Sequence, residues 1–148
     1  MTTQSAFVEV VKEADPVLLQ SLNDLLPQLS KNAQAMKMED LKQIVDSECS
    51  DLLVVKAADG GSVLGALTLI HFRIPSGIRA WIEDVVVDAN ARGQGIGKAL
   101  IQAAIEKSRD LGAKTLDLTS NPDRESAHRL YEGVGFSVRT TKVYRYTK

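Results

Sequence analysis

One cysteine in 148 residues, Cys49, has no partner for an internal disulfide, so the thiol content asks for no oxidising compartment. The opening stretch MTTQSAF has neither the basic start nor the apolar core of a secretory signal. A cytoplasmic protein is expected. No apolar run approaches the ~18 residues a transmembrane helix requires, and no internal repeat or low-complexity tract is present. Excess charge is missing as well: 18 basic residues stand against 19 acidic, for a net charge of -1. That balance supplies no global field to draw the chain to nucleic acid or membrane, so neither is expected as a partner, and any anionic ligand must be held locally. His71 and His128 stand apart from Cys49 and from each other without metal-ligand spacing. No metal is expected, and no Ser-His-Asp arrangement can be assembled. Cys49 reads as a small packed residue rather than a nucleophile.

What the chain does have is apolar content of 44%, enough to bury one core. No linker-like stretch divides it, so a single domain over residues 1–148 is expected. FVEVVK has the alternation of a strand, and Asp15-Pro16 opens a helix through VLLQSLNDLL that Pro27 ends or kinks. MEDLKQIVDSE returns to helical spacing after a polar loop from Ser30 to Met38. Strands follow at Leu52 to Ala57, Val63 to Phe72 and Ala80 to Val87, separated by the turn-forming ADGGS and RIPSG, as in an antiparallel meander. Lys98 to Leu111 is a helix closed by Gly112, and KTLDLTS is a strand. Strand, helix and strand in that order make a βαβ unit with parallel strands around Val86 and Leu116. Pro122 starts a last helix reaching about Glu132, with Asn121 as its cap, and two short strands near Phe136 and Tyr144 finish the chain.

The informative stretch is VVVDANARGQGIGKAL, where Gly93, Gly95 and Gly97 alternate at the start of a helix. Unpaired amides and the positive end of the helix dipole converge there, and glycine removes the Cβ atoms that would hold a phosphate away. Arg92 can add a charge-assisted contact. An anion site is expected. It is not a dinucleotide fingerprint, because Lys98 occupies the third glycine position, and it is not a P-loop, because Arg92 and Ala99 stand where that pattern needs glycine and a hydroxyl.

The loop Arg92-Gly93-Gln94-Gly95-Ile96-Gly97 resembles the acyl-CoA signature R/Q-x-x-G-x-G/A of the GNAT superfamily of N-acetyltransferases. Leu130, Tyr131, Gly135 and Phe136 match the closing motif Leu-Tyr-x-x-x-Gly-Phe of that family, and the specific resemblance runs from Trp81 to Phe136. It implies an α/β (α+β) fold: a mixed, mostly antiparallel twisted sheet flanked by helices, with a central parallel βαβ unit whose two strands splay into a cleft for acetyl-CoA. It implies cofactor contacts from Val85, Val86 and Val87, which would pair with the pantetheine arm, and from Arg92, Gly93, Gln94, Gly95, Ile96, Gly97 and Lys98 around the pyrophosphate. Many members carry an asparagine seven residues before the closing tyrosine. Here that position is Arg124, which shares a helix face with His128 and Tyr131 and is open to cofactor, to an anionic substrate or simply to solvent.

Acetyl transfer to an amine needs the amine neutral, and for a lysine-like pKa of ~10.4 that costs about 4 to 5 kcal/mol at pH 7. A carboxylate nearby can take the proton. Glu83 and Asp84 are adjacent in the strand WIEDVVV, so alternation sends only one toward a cleft unless a bulge intervenes. The order Glu-Asp-x-x-Val resembles the polyamine and glucosamine-phosphate acetyltransferases of the superfamily. That resemblance makes Glu83 the candidate base and a small-molecule amine or amino sugar the expected acceptor. Tyr131 is the candidate acid for the leaving thiolate. A protein or peptide acceptor and a non-catalytic acyl-CoA-binding module are the rival readings. The family's C-terminal strands often dimerise, so a homodimer is an open arrangement.

Overall fold

In the computed structural model, residues 8–148 are described. The polar tip and Phe7, the expected start of the first strand, lie outside the described residues. The chain runs β1 (Val8–Val10), α1 (Pro16–Leu29), α2 (Met38–Asp46), β2 (Ser50–Lys56), β3 (Val63–Ile74), β4 (Gly77–Val87), a short 3-10 turn at Ala89–Ala91, α3 (Ile96–Asp110), β5 (Thr115–Leu118) and α4 (Glu125–Gly133). The five strands form one sheet in the order β1-β2-β3-β4-β5. All neighbours are antiparallel except β4 and β5, which are parallel.

The sheet is buried on both faces. Leu53, Val55, Leu67, Leu69, Ala80 and Ile82 point into a cluster with Ile96, Leu100, Ile101 and Ala104 of α3 and Tyr131 of α4. Leu52, Val54, Ala66 and Val86 point the other way, onto Leu18, Leu22 and Leu25 of α1 and Leu41 of α2. That double burial explains why β2 reads as an unbroken apolar run rather than an alternation.

Local chemistry sets the helix ends. Asp15 accepts a hydrogen bond from the Leu18 N–H at 2.8 Å, and Pro16 occupies the first turn where a missing N–H costs nothing. At the far end of α3, Gly112 N–H bonds the Arg109 carbonyl and Ala113 N–H bonds that of Ser108, each at 3.0 Å, which is a Schellman closure.

Several expectations need correction. Pro27 does not end α1: it is exposed in the last turn, and the helix continues to Leu29, where Ser30 N–H still reaches the Leu26 carbonyl at 3.1 Å. α3 begins two residues earlier than expected, at Ile96, because the buried Ile96 side chain anchors its first turn in the core. α4 begins at Glu125, not Pro122. Asn121 does not cap it; its carbonyl instead accepts from Arg124 N–H at 3.1 Å in a separate turn, and Arg124 is the helix's flanking residue. Cys49 is exposed rather than packed. No strand forms at Phe136 or Tyr144: residues 136–148 have no regular secondary structure, because no neighbouring strand in this chain pairs with them.

Candidate active site

β4 changes allegiance halfway along. Arg79 to Ile82 pair in parallel with Thr115 to Leu118, and the pairing stops there. From Glu83 to Val87 the strand stays on the antiparallel ladder with β3 but has no partner on the β5 side. Backbone groups at Val85, Val86 and Val87 therefore lie on an edge of β4 that has no strand partner beyond Leu118.

A bulge lies just past the last parallel pair. The register with β3 jumps from Thr68 opposite Glu83 to Ala66 opposite Val86, so β4 carries one extra residue, and Asp84 there has a φ of +51°. It is the only non-glycine residue with positive φ among the described residues, and the left-handed region is one that aspartate tolerates better than most. The bulge reverses the alternation. Ile82 belongs to the α3 cluster, but so do Val85 and Val87, while Val86 lies against α1 and α2. Without the bulge, plain alternation from Ile82 would point Asp84 beneath α3. With it, Asp84 and Glu83 are both exposed side by side, and Glu83, opposite Thr68, takes the face of α1 and α2.

Downstream, Arg92 leads into the glycine loop and α3 begins with its amides open. Gly93 and Gly95 have φ of +84° and +79°, and a Cβ at either would project into open space in front of the loop. The first helical bond is Ala99 N–H to the Gly95 carbonyl at 3.0 Å, and no side chain caps the helix. The N–H groups of Ile96, Gly97 and Lys98 are thus without an intrahelical acceptor. Lys98, Arg92, Gln94 and Gly93 are exposed around them. No carboxylate sits in this first turn, so the helix dipole is left unopposed there. The donor set fits a diphosphate. Ile96 contributes only its backbone, since its side chain is buried.

Gly97 brings the two motifs together. A Cβ on it would stand 3.3 Å from Cδ2 of Leu130 and 3.6 Å from Val87, so the loop helix, the closing motif and the free end of β4 meet at this point. On the next residue of α4, the Tyr131 ring is buried at 8% exposure, edge-on to Phe136 with centroids 6.2 Å apart. Its phenol is no orphan: no buried side-chain polar atom among the described residues lacks a partner, so a hydroxyl with no protein partner keeps contact with solvent. Burial pushes the Tyr131 phenol above its ordinary range, and the positive charge of Arg124 works against that rise. His128 Nε2 lies 3.2 Å from Ser120 Oγ. The shared face of Arg124, His128 and Tyr131 is therefore present, although Arg124 stands at the helix's flank rather than inside it.

Glu83 and Tyr131 lie on opposite faces of the sheet. A cavity of about 930 Å³ is lined by Tyr131, His128 and Trp81 and by no residue from 83 to 98. Two positioning residues escape a reading of the sequence. Gln28 grips the loop's approach: its Oε1 accepts from Ala89 N–H at 2.8 Å and its Nε2 reaches Asp88 Oδ1 at 3.4 Å. Nothing in the sequence links positions some sixty residues apart. Gly65 is the other, and an isolated glycine inside a strand was the available signal for close approach: a Cβ there would lie 2.7 Å from Cγ2 of Ile96.

A strand that parts from its parallel neighbour beside an uncapped, glycine-led helix defines an acyltransferase-like architecture, and comparison with known proteins agrees. Residues 19–136 match the Acetyltransferase (GNAT) family. The chain belongs to that family. It is 35% identical over 135 residues to a glucosamine 6-phosphate N-acetyltransferase of Trypanosoma brucei brucei, covering 87% of each. It is 34% identical over 95 residues to an aminoalkylphosphonate N-acetyltransferase of Salmonella typhimurium, covering 62% of this chain and 59% of that protein. A crystal structure of a Trypanosoma brucei acetyltransferase superposes with a TM-score of 0.77 at 27% identity, covering 95% of this chain and 98% of the other. The chain spans a smaller part of other curated relatives it matches, from 18% to 55% of the length of three of them.

Proposed function

We propose that this chain transfers the acetyl group of acetyl-CoA directly to a primary amine on a small molecule or amino sugar. The observation that carries the reading is the juxtaposition of the unpaired edge of β4 at Val85 to Val87 with the open amides at the start of α3. The first matches an amide-bearing arm and the second a diphosphate. The relative that matches along most of its length is named for an amino-sugar phosphate, which supports the acceptor class.

Acetyl-CoA, when bound, supplies an activated thioester. Backbone groups of Val85, Val86 and Val87 orient its arm, and the amides of Ile96, Gly97 and Lys98, with Arg92 and Gln94 beside them, hold its phosphates. Glu83 takes the proton from the acceptor ammonium, directly or through water. Tyr131 holds a proton at its phenol oxygen for the departing sulfur. Its raised pKa keeps that proton in place at neutral pH, and Arg124 limits how weak an acid the phenol becomes. The same reading places the protein in the cytoplasm, without metal, nucleic acid or membrane, and leaves a homodimer as an open arrangement. Balanced charge offers no general attraction to nucleic acid or to a membrane surface, and no described helix is long and apolar enough to cross a membrane.

The test is release of CoA thiol across polyamines, amino sugars, amino acids and peptides, with calorimetric CoA binding in parallel. Turnover on one amine class that falls about 10²- to 10⁴-fold in Tyr131→Phe or Glu83→Gln, with CoA binding kept, is the expected result. Binding without turnover on any amine would overturn catalysis in favour of a binding module, and turnover confined to peptides would overturn the acceptor class.

A further inference from the structure

Helices α1 and α2 cover only part of their side of the sheet. Their apolar residues pack on Val54, Ala66 and Val86, which stand side by side in register, and on Leu52 in the next row, beside Thr68 and Glu83. There the cover ends. The following row is Ile70, Trp81 and Asp117, and the one after it is Phe72, Arg79 and Thr115. All six point the same way as Glu83, because Leu69, Ala80, Ile82, Leu116 and Leu118 between them point into the α3 cluster. Ile70, Phe72 and Trp81 are partly exposed and belong to neither packed cluster. A partly exposed indole one outward position from a carboxylate offers a surface to a ligand rather than to the core.

Charge is laid out along the same row of β4. Glu83, Trp81 and Arg79 occupy successive outward positions, which sets Glu83 and Arg79 about 13 Å apart along the strand. Both are exposed, and neither has an ion-pair partner among the described residues. The other opposite charges on this face are already matched, since Asp117 lies 3.6 Å from Arg139. What stays open is an acid, an aromatic and a cation, in that order. On its β5 side Trp81 borders the large cavity together with Asp117 and Arg139, so there is room for a ligand body against the indole.

We propose that Trp81 is the platform for the acceptor's body and that Arg79 reads an anionic group at the acceptor's far end. The preferred acceptor is then a dipolar amine, with its ammonium at Glu83, a ring or methylene body across the indole, and a phosphate group at Arg79. This deepens the acetyl-transfer reading above and rests on it for the part played by Glu83. Charge complementarity selects this occupant over its rivals. A diamine would satisfy Glu83 and meet repulsion at Arg79, and a simple alkylamine would leave Arg79 unused.

Trp81 is the one tryptophan of the chain, so its emission reports a ligand on the platform without any turnover. The CoA-loaded chain would be titrated with aminopentyl phosphate, pentylamine, diaminopentane, glucosamine phosphate and glucosamine, and CoA release from acetyl-CoA followed on the same five amines. The expected result is an emission change with the phosphorylated amines at concentrations about tenfold below those their parents require. The alkyl and sugar arms separate a chain body from a ring. Arg79→Gln should erase the preference by raising KM for the phosphorylated amines, with CoA binding kept. Trp81→Ala should raise that KM about 10- to 100-fold, and Trp81→Phe, which keeps an aromatic face, should recover most of the loss. Arg79→Gln alters only an exposed side chain and keeps the test valid if Trp81→Ala impairs folding. Equal response to phosphorylated and parent amines, or preference for diaminopentane, would defeat the proposal, as would turnover of an amine that leaves Trp81 emission unchanged. An emission change without turnover would keep the platform and defeat acetyl transfer; silence in both readouts on every amine would defeat both.

Discussion

The side-chain oxygen of Gln28 accepts a hydrogen bond from the backbone N–H of Ala89 at 2.8 Å, across the whole width between α1 and the approach to the glycine loop. Asp88 reinforces it, since its Oδ1 accepts from both Gln28 Nε2 and Asn90 N–H, and its own N–H bonds the Leu64 carbonyl. The loop that presents the open amides is thus held from two sides before any ligand arrives. Truncation in Gln28→Ala removes one side-chain-to-backbone bond worth about 1 kcal/mol. The expected outcome is a several-fold rise in the dissociation constant for CoA, measured by calorimetry, with kcat little changed.

Gly65 lies under the first turn of α3, with Cγ2 of Ile96, Cδ1 of Leu100 and the Val86 carbonyl all within 3.3 Å of where a Cβ would be. Gly65→Ala overpacks that site and should cost roughly 1–3 kcal/mol in urea unfolding. It should also weaken CoA binding more than it alters the acceptor KM, because it displaces the helix start rather than the face of α1 and α2.

Tyr131 gives the protein a pH signature. Burial raises the phenol pKa, so at alkaline pH the folded chain keeps a proton that the unfolded chain has released. The associated stability is present in full below about pH 10, the unfolded value, and is lost as pH rises through the folded pKa. In a Tyr144→Phe/Tyr146→Phe background Tyr131 is the one phenol left to ionise, and its ultraviolet titration should lie above the ordinary phenol range. Adding Arg124→Ala should move it higher still. A titration that fell when Arg124 was removed would contradict the sign of that coupling.

Asp84 holds a left-handed conformation that glycine adopts freely and β-branched residues do not. Asp84→Val should destabilise by about 1–3 kcal/mol, and Asp84→Gly should be close to neutral in thermal unfolding. Activity provides a second reading: loss in Asp84→Gly, with the bulge preserved, would give the aspartate a chemical part beside Glu83.

Much of this was legible beforehand. The glycine loop and the meander of strands follow from turn residues and periodicity, which are local properties, and the closing Leu-Tyr motif from the family resemblance. The bulge was half-legible: two charged residues followed by three valines break a period of two, but only the register with β3 shows where the extra residue sits. Asn121-Pro122 misled because the same residues that cap helices also make turns, and here the turn won. The C-terminal strands were expected from composition that is indeed strand-like, but a strand exists only with a partner, and partners are not written in the segment itself. Gln28 and Asp88 were invisible, since their bond depends on how α1 lies over the sheet.

The extra residue in β4 also bears on how chains of this kind can diverge. Deleting Asp84 would restore plain alternation from Ile82 onward and leave Val85, Val86 and Val87 on the faces they already occupy, whereas inserting one more residue there would turn all three over. The facing of the three valines is therefore compatible with a β4 shorter by one residue and incompatible with one longer by one. Among related chains, loss of the bulged residue should therefore be met more often than a further insertion in β4, with other changes in length absorbed by the turns at residues 57–62 and 75–76.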